Sequence, residues 1–281
     1  MGLSSNILWH QTTLNGLMAI LKERTFRYSY SKEMVFNSVD TIAFPMISFC
    51  DLPLSEFSEY IGKYGGYSIG VSRSWGIKIG VNPVWYCDFY SNVVHSIMKL
   101  LLRELNSSDY GYVYELFEIL AYIKPMEDKL KTKRVGYSKY RFSDERELRI
   151  VPYLRDLESK SVKPFLYNKL YEEYKVSNNN SSLIELGESF EWSDIKYVIV
   201  KNKTDVKRVR KLLKTFNCDN EDIGIFYQQQ VKADFIGIEH NKVDMPTLSS
   251  TDLSHIQNLI TQLQNINPIN WQNNIINHEN N

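Results

Sequence analysis

The chain has 281 residues, 43% of them hydrophobic, which is ample for a packed core and for one large or two small domains. Its 33 basic and 33 acidic residues cancel, so the whole molecule lacks the excess positive charge of a general nucleic-acid binder. The three cysteines, Cys50, Cys87 and Cys218, show no CxxC spacing, so neither a disulfide framework nor a zinc site is expected. Cys50 reads as a buried structural thiol. The first residues carry no basic and then apolar leader, and no stretch nears the roughly 20 apolar residues of a membrane span. A cytoplasmic protein without a membrane partner is the expectation.

In chain order, Ile7–His10 reads as a short apolar strand, followed by Thr12 or Thr13 as helix cap. The helix that follows carries Leu14, Leu17, Met18 and Leu21 as one stripe. Ile47–Cys50 reads as a strand that breaks at Asp51-Leu52-Pro53, with a short helix expected around Leu54–Ile61. The glycine-tyrosine loop Tyr64-Gly65-Gly66-Tyr67 leads into a strand over Tyr67–Val71, and Asn82-Pro83-Val84 opens another. Helical spacing recurs over Ser91–Leu105 and Tyr110–Ile123, with Pro125 as the stop for the second.

The basic run Lys129–Arg134 reads as a solvated helix end and Gly136–Tyr140 as an exposed loop. Strand character returns over Asp144–Pro152. Period two puts Glu145, Glu147 and Arg149 on one face, with Leu148 and Ile150 on the other. Asn178–Ser182 is the best internal boundary. Ile195–Val200, a helix capped by Thr204, and Ile223–Phe226 form a strand–helix–strand unit with parallel strands. We therefore expect an α+β fold, a mixed and mostly antiparallel sheet with flanking helices. It comprises one domain over 1–245 and a tail over 246–281 with a helix at Thr251–Leu263.

Several residues are candidates for chemistry. His10, at a strand end before an amphipathic helix, is placed to donate a ring N–H to a ligand, although a lone histidine is more often part of a packed interior. Glu145 and Glu147 suit glycosidic-bond chemistry, in which a carboxylate stabilises positive charge on a sugar. On spacing alone a solvated, ion-paired face is the stronger reading. Tyr60, Tyr64 and Tyr67 flank a glycine loop, where an aromatic ring can stack on a flat cationic group. No GxGxxG, GxxxxGK[ST], GxSxG or HExxH pattern is present, and no metal site is expected.

The series Ile7-Leu8-Trp9-His10-x-Thr12, Phe49-Cys50-Asp51-Leu52-Pro53-Leu54-Ser55-Glu56, Tyr64-Gly65-x-Tyr67-x-Ile69-Gly70, Asn82-Pro83-Val84 and Asp144–Arg149 resembles the AbiGi family of abortive phage-resistance proteins over about residues 5 to 235. That family is assigned to the antitoxin half of type IV toxin–antitoxin pairs. The resemblance implies anti-phage defence and a partner toxin or a phage-derived trigger protein. More distantly, the order His-x-Thr, tyrosine, strand glutamate is similar to that of ADP-ribosyltransferases. That likeness implies a transferase-like core with NAD as cofactor. His10 and Thr12 would hold the nicotinamide-side ribose, Tyr67 or Tyr64 would stack on the nicotinamide, and Glu147 or Glu145 would polarise the ribose or an acceptor. Nucleic acid enters only as a possible substrate of such a reaction. A non-catalytic regulator that binds a toxin or a nucleotide-type ligand is the alternative.

Overall fold

The structure, a computed structural model, describes residues 6–34, 41–54, 56, 65–88, 90–106, 112–132, 136–177, 183, 185–218 and 222–232. The expected helix around Leu54–Ile61 falls largely outside these residues. Tyr60, Tyr64, the boundary at 178–182 and the tail helix at 251–263 fall entirely outside them.

The chain opens with β1 (Ile7–Thr12) and α1 (Leu14–Glu23). Thr13 is the cap, its side chain accepting from the Gly16 N–H, and Leu17, Ile20 and Leu21 are the buried stripe. Two strands that sequence periodicity does not reveal follow, β2 (Thr25–Arg27) and β3 (Ser29–Met34). The predicted strand at Ile47–Cys50 is the end of a longer one, β4 (Thr41–Cys50), and it does stop where Asp51-Leu52-Pro53 begins. Then come β5 (Tyr67–Ser72), a short helix α2 (Arg73–Lys78) capped by Ser72, β6 (Asn82–Pro83) and β7 (Trp85–Cys87).

Helices α3 (Asn92–Leu105) and α4 (Val113–Ala121) match the two helical stripes. Pro125 does not terminate α4, however. The helix ends at Ala121, and Ile123–Pro125 forms β8, parallel to β7. As far as Thr132 the basic run is strand rather than a helix end, and Gly136–Tyr140 is strand rather than a loop. They are the antiparallel strands β9 (Glu127–Thr132) and β10 (Gly136–Arg141). Their residues lack the apolar alternation that marks a half-buried strand, so backbone pairing makes the ribbon where side-chain pattern gave no signal.

After a 3₁₀ turn at Phe142–Glu145 comes β11 (Glu147–Ile150), then α5 (Leu154–Ser159), β12 (Leu166–Tyr167), α6 (Asn168–Ser177) and β13 (Gly187–Ser189). The last described segment is β14 (Ile195–Val200), α7 (Lys203–Thr215), β15 (Gly224–Tyr227) and α8 (Gln228–Lys232). β14 and β15 pair in parallel, as the strand–helix–strand pattern predicts. The cap of α7 is Asn202 rather than Thr204. The Asn202 side chain accepts from the Asp205 N–H, the bond an N-cap makes to the third helical residue.

Among the described residues a nine-stranded sheet runs β15-β14-β5-β1-β4-β11-β6, with β3 and β12 also paired to β4. Its β14–β15 pair is parallel and its other ladders are antiparallel, so the fold is α+β as expected. The main core packs Leu17 and Leu21 of α1, Phe26, Phe49, Ile69 and Val209. A smaller cluster, Trp9, Cys50, Leu52, Ile199 and Val231, lies under α8. Gly70 stands directly opposite Trp9, and a Cβ there would come within 2.8 Å of the indole ring, so the glycine is what lets Trp9 lie against β5.

Candidate functional site

The register of the central strands decides which candidate residues meet. Trp9 pairs with Cys50, and Cys50 pairs with Glu147. Directly opposed residues share a face and neighbours along a strand alternate. Glu147 therefore shares the Trp9 face, two strand spacings or roughly 10 Å from β1, while His10 belongs to the other face. His10 opposes Ile69, and Thr12 opposes Tyr67, so His10, Thr12 and Tyr67 form one row. The described structure places these three together and Glu145 and Glu147 elsewhere. A single cleft walled by His10, Tyr67 and Glu147 is not assembled by the register.

His10 sits where β1 and β4 part, after their one described paired position. Its Nδ1–H donates to the Ser48 carbonyl at 2.9 Å, and its ring packs edge-on to Phe26 at 5.1 Å. A carbonyl can only accept, so the Nδ1 proton is committed. Burial lowers the pKa below that of a free imidazole, against the opposing pull of the Ser48 bond. The ring is thus neutral, and Nε2 is an acceptor with no described hydrogen bond. This corrects the expectation that His10 donates to a ligand: the nitrogen not used on Ser48 is an acceptor.

Thr12 lies over the first turn of α1, its Oγ1 where a Cβ on Gly16 would stand 2.1 Å away. The Tyr67 hydroxyl donates to Asp205 Oδ2 on α7 at 2.8 Å, which ties the end of β5 to that helix. Gln11 and Ser68 are directly opposed on the Trp9 face. The Gln11 amide atoms and the Ser68 hydroxyl are buried without a hydrogen-bond partner. Such atoms are costly unless a water or a ligand group satisfies them.

The two glutamates belong to a knot of buried charge. Glu145 closes the 3₁₀ turn and is not in a strand; Arg146 follows at φ 45°, and β11 begins at Glu147. Even so, both carboxylates converge on Lys124 of β8, at 2.9 Å from Glu145 and 2.6 Å from Glu147. The Lys124 ammonium also lies 4.8 Å from the centre of the Phe142 ring. Arg149 donates from Nε to Glu147 Oε1 at 2.6 Å and from Nη2 to Glu147 Oε2 at 3.0 Å and Glu33 Oε1 at 2.7 Å. Its Nη1 donates to the Ala121 carbonyl at the end of α4. The Glu147 N–H donates to the Tyr86 hydroxyl at 2.7 Å.

This face is not solvated: Arg149 is 0% exposed, Glu145 2% and Glu147 7%. Burial by itself would raise the Glu147 pKa, but the Arg149 and Lys124 charges and hydrogen bonds overcome it and hold the carboxyl at about 2. Glu33 goes the other way. Burial raises its pKa more than Arg149 and Lys124 lower it, and the nearby Glu147 charge adds to the rise. Two cations, Lys124 and Arg149, thus meet the carboxyls of Glu33, Glu145 and Glu147. Arg149 was legible from the period-two pattern. Lys124, Glu33 and Tyr86 were not, although a lone lysine in the apolar stretch Ala121–Pro125 was a usable hint.

Among the described residues no group of acidic, cysteine and histidine side chains could hold a metal ion. A pocket of about 380 Å³ opens at the start of β1, lined by residues that include Asn6, Ser72, Arg73, Lys196 and Tyr197. None of the candidate residues lines it.

A family model described as "Putative abortive phage resistance protein AbiGi, antitoxin" matches residues 16–201. The chain belongs to the AbiGi family. A curated AbiGi abortive phage resistance protein of Lactococcus lactis subsp. cremoris is 30% identical over 181 residues, 56% of this chain and 71% of that protein. Two solved structures of DarT from Thermus sp. 2.9 also align, each at 13% identity over 80% of this chain and 96% of theirs. The TM-score is 0.30 for the complex with carba-NAD+ and 0.32 for the complex with NAD+. Scores this low set no residue-level correspondence. No described helix is long and apolar enough to cross a membrane.

Proposed function

We propose that this AbiGi protein acts in abortive phage resistance by binding an NAD-type ligand where β1 parts from β4. His10 Nε2 would accept a hydrogen bond from a ribose hydroxyl, and Thr12 and Tyr67 are on the same face. The observation that carries this reading is the Nδ1 bond to Ser48, which fixes the tautomer and leaves Nε2 an acceptor with no hydrogen bond among the described residues. NAD would supply an electrophilic ribose carbon for transfer to a macromolecule. Glu147 is already committed to Arg149 and Lys124, so this arrangement favours binding over transfer through that carboxylate.

Calorimetric titration of the full chain with NAD tests the proposal. Micromolar heat that disappears in His10→Ala and persists in Glu147→Gln is expected. No heat with the folded wild-type protein overturns it. The paired state of Glu147 favours a second reading, a non-catalytic antitoxin that binds a partner toxin. That protein would tolerate Glu147→Gln and His10→Ala, and would lose its partner on deletion of Met245–Asn281.

A further inference from the structure

The zero net charge of the chain conceals how unevenly its charge is distributed. Within α7, Lys203, Lys207, Arg208, Arg210, Lys211 and Lys214 stand against Asp205 alone. Asp205 does not serve the surface. It is 3% exposed and accepts from Tyr67 and from Arg208. At about 100° per residue, Lys203, Lys207, Arg210, Lys211 and Lys214 fall within an arc of about 100°, away from Val209 and Leu213, which face the core. All five cations are exposed.

A merely solvated helix face gains from mixed signs, because opposite charges at i and i+4 support a helix and like charges oppose it. Here Lys203 and Lys207, Lys207 and Lys211, and Arg210 and Lys214 are all like pairs at that spacing. Lys203 also stands in the first turn, where the helix dipole favours an anion. Lys207, Arg210 and Lys211 form no ion pair among the described residues. These placements work against the helix, and a polyanion laid along it would reverse their sign.

The chemistry of the face selects among polyanions. A protein interface buries an apolar or aromatic centre, and a helix on a membrane surface embeds an apolar face. No large hydrophobic residue of α7 is exposed, and its apolar stripe is turned into the core. A phosphate backbone is held by cations without any apolar contact. We propose that the outer face of α7 binds the phosphate backbone of a nucleic acid. Lys203 to Lys214 spans about 16 Å along the helix axis, about the rise of five nucleotides of one duplex strand. The inference does not rest on NAD binding at His10, so either can fail alone.

Fluorescence anisotropy of the full chain with labelled single-stranded DNA, duplex DNA and single-stranded RNA tests it. Affinity that falls linearly in log–log form with salt is expected. The triple variant Lys207→Gln, Arg210→Gln, Lys211→Gln should bind about tenfold more weakly or worse and lower the salt slope by about 2 to 3, the share of three phosphate contacts. Its melting temperature should stay at or above that of wild type, since like-charge pairs are removed. The double variant Lys207→Arg, Lys211→Arg should keep both affinity and slope, and the strand type bound most tightly identifies the source of the phosphates. No binding by wild type overturns the proposal, as does a glutamine variant with unchanged slope. Displacement by polyglutamate as readily as by oligonucleotide also overturns it, because that marks a general anion surface.

Discussion

The His10 seam and the Glu147 knot lie two strands apart in one sheet and handle polar groups in opposite ways. At the seam, His10 uses one ring nitrogen on Ser48, and its other has no hydrogen bond among the described residues. In the knot, Glu147 and Arg149 spend their polar atoms on one another and on Lys124, Glu33, Ala121 and Tyr86. An acceptor without a described protein donor points to a guest. Complete internal pairing of buried charge points to architecture, because a buried ion tolerates no missing partner. The residues that most resembled catalytic acids in the sequence, Glu145 and Glu147, are the ones paired internally with Lys124 and Arg149.

The largest test of that contrast is Arg149→Met. It strands Glu147 and Glu33 in a buried site, a loss of about 3–5 kcal/mol. Thermal denaturation should show the midpoint falling by roughly 6–20 °C for a chain of this size. An Arg149→Met protein that melts within a degree or two of wild type would show the knot to be dispensable, and Glu147 would return as a candidate for chemistry.

The two ends of the knot should also separate with pH. The folded pKa of Glu147, about 2, lies below that of a free carboxyl. Its ionised form therefore stabilises the fold above roughly pH 4, and that contribution disappears as pH falls towards 2. Glu147→Gln should cost about 3 kcal/mol at neutral pH and flatten the acid limb of the stability curve. Glu33 carries the opposite sign: its raised pKa means that folding disfavours its charge. Glu33→Gln should be neutral or mildly stabilising at pH 7, measured by urea denaturation. Equal losses in the two variants would refute the charge assignment.

What the sequence made legible was local. The strand, cap and helix over Ile7–Glu23, the break after Cys50, the strand at Tyr67 and the parallel β14–β15 unit all have short-range signals. Glu147 and Arg149 could be placed on one face because two residues along a strand suffice. The partnership of Lys124 with both glutamates could not, since it needs β8 brought beside β11 through pairings that no local pattern encodes. The same holds for the faces. His10 and Glu147 looked like parts of one cleft because their order matched a known series, and only the Trp9–Cys50–Glu147 register separates them. Asn202 displaced Thr204 as the α7 cap for a simpler reason. Both are competent caps, and the choice of helix start lies within the usual uncertainty of a boundary.

The smallest effect is the most discriminating for the seam. Tyr67→Phe keeps an aromatic ring and removes only the hydroxyl that donates to Asp205. Asp205 is 3% exposed and keeps its 3.2 Å bond from Arg208, so the loss should be about 1–2 kcal/mol. Stacking depends on the ring face, whereas anchoring of α7 depends on the oxygen. NAD heat unchanged in Tyr67→Phe and lost in Tyr67→Ala would assign the ring to the ligand. Heat equally reduced in both would mean that the hydroxyl acts through Asp205, by holding α7 against the row of Thr12 and His10. In that event the seam depends on the same kind of internal pairing as the knot, and the contrast between the two regions narrows to the single open nitrogen of His10.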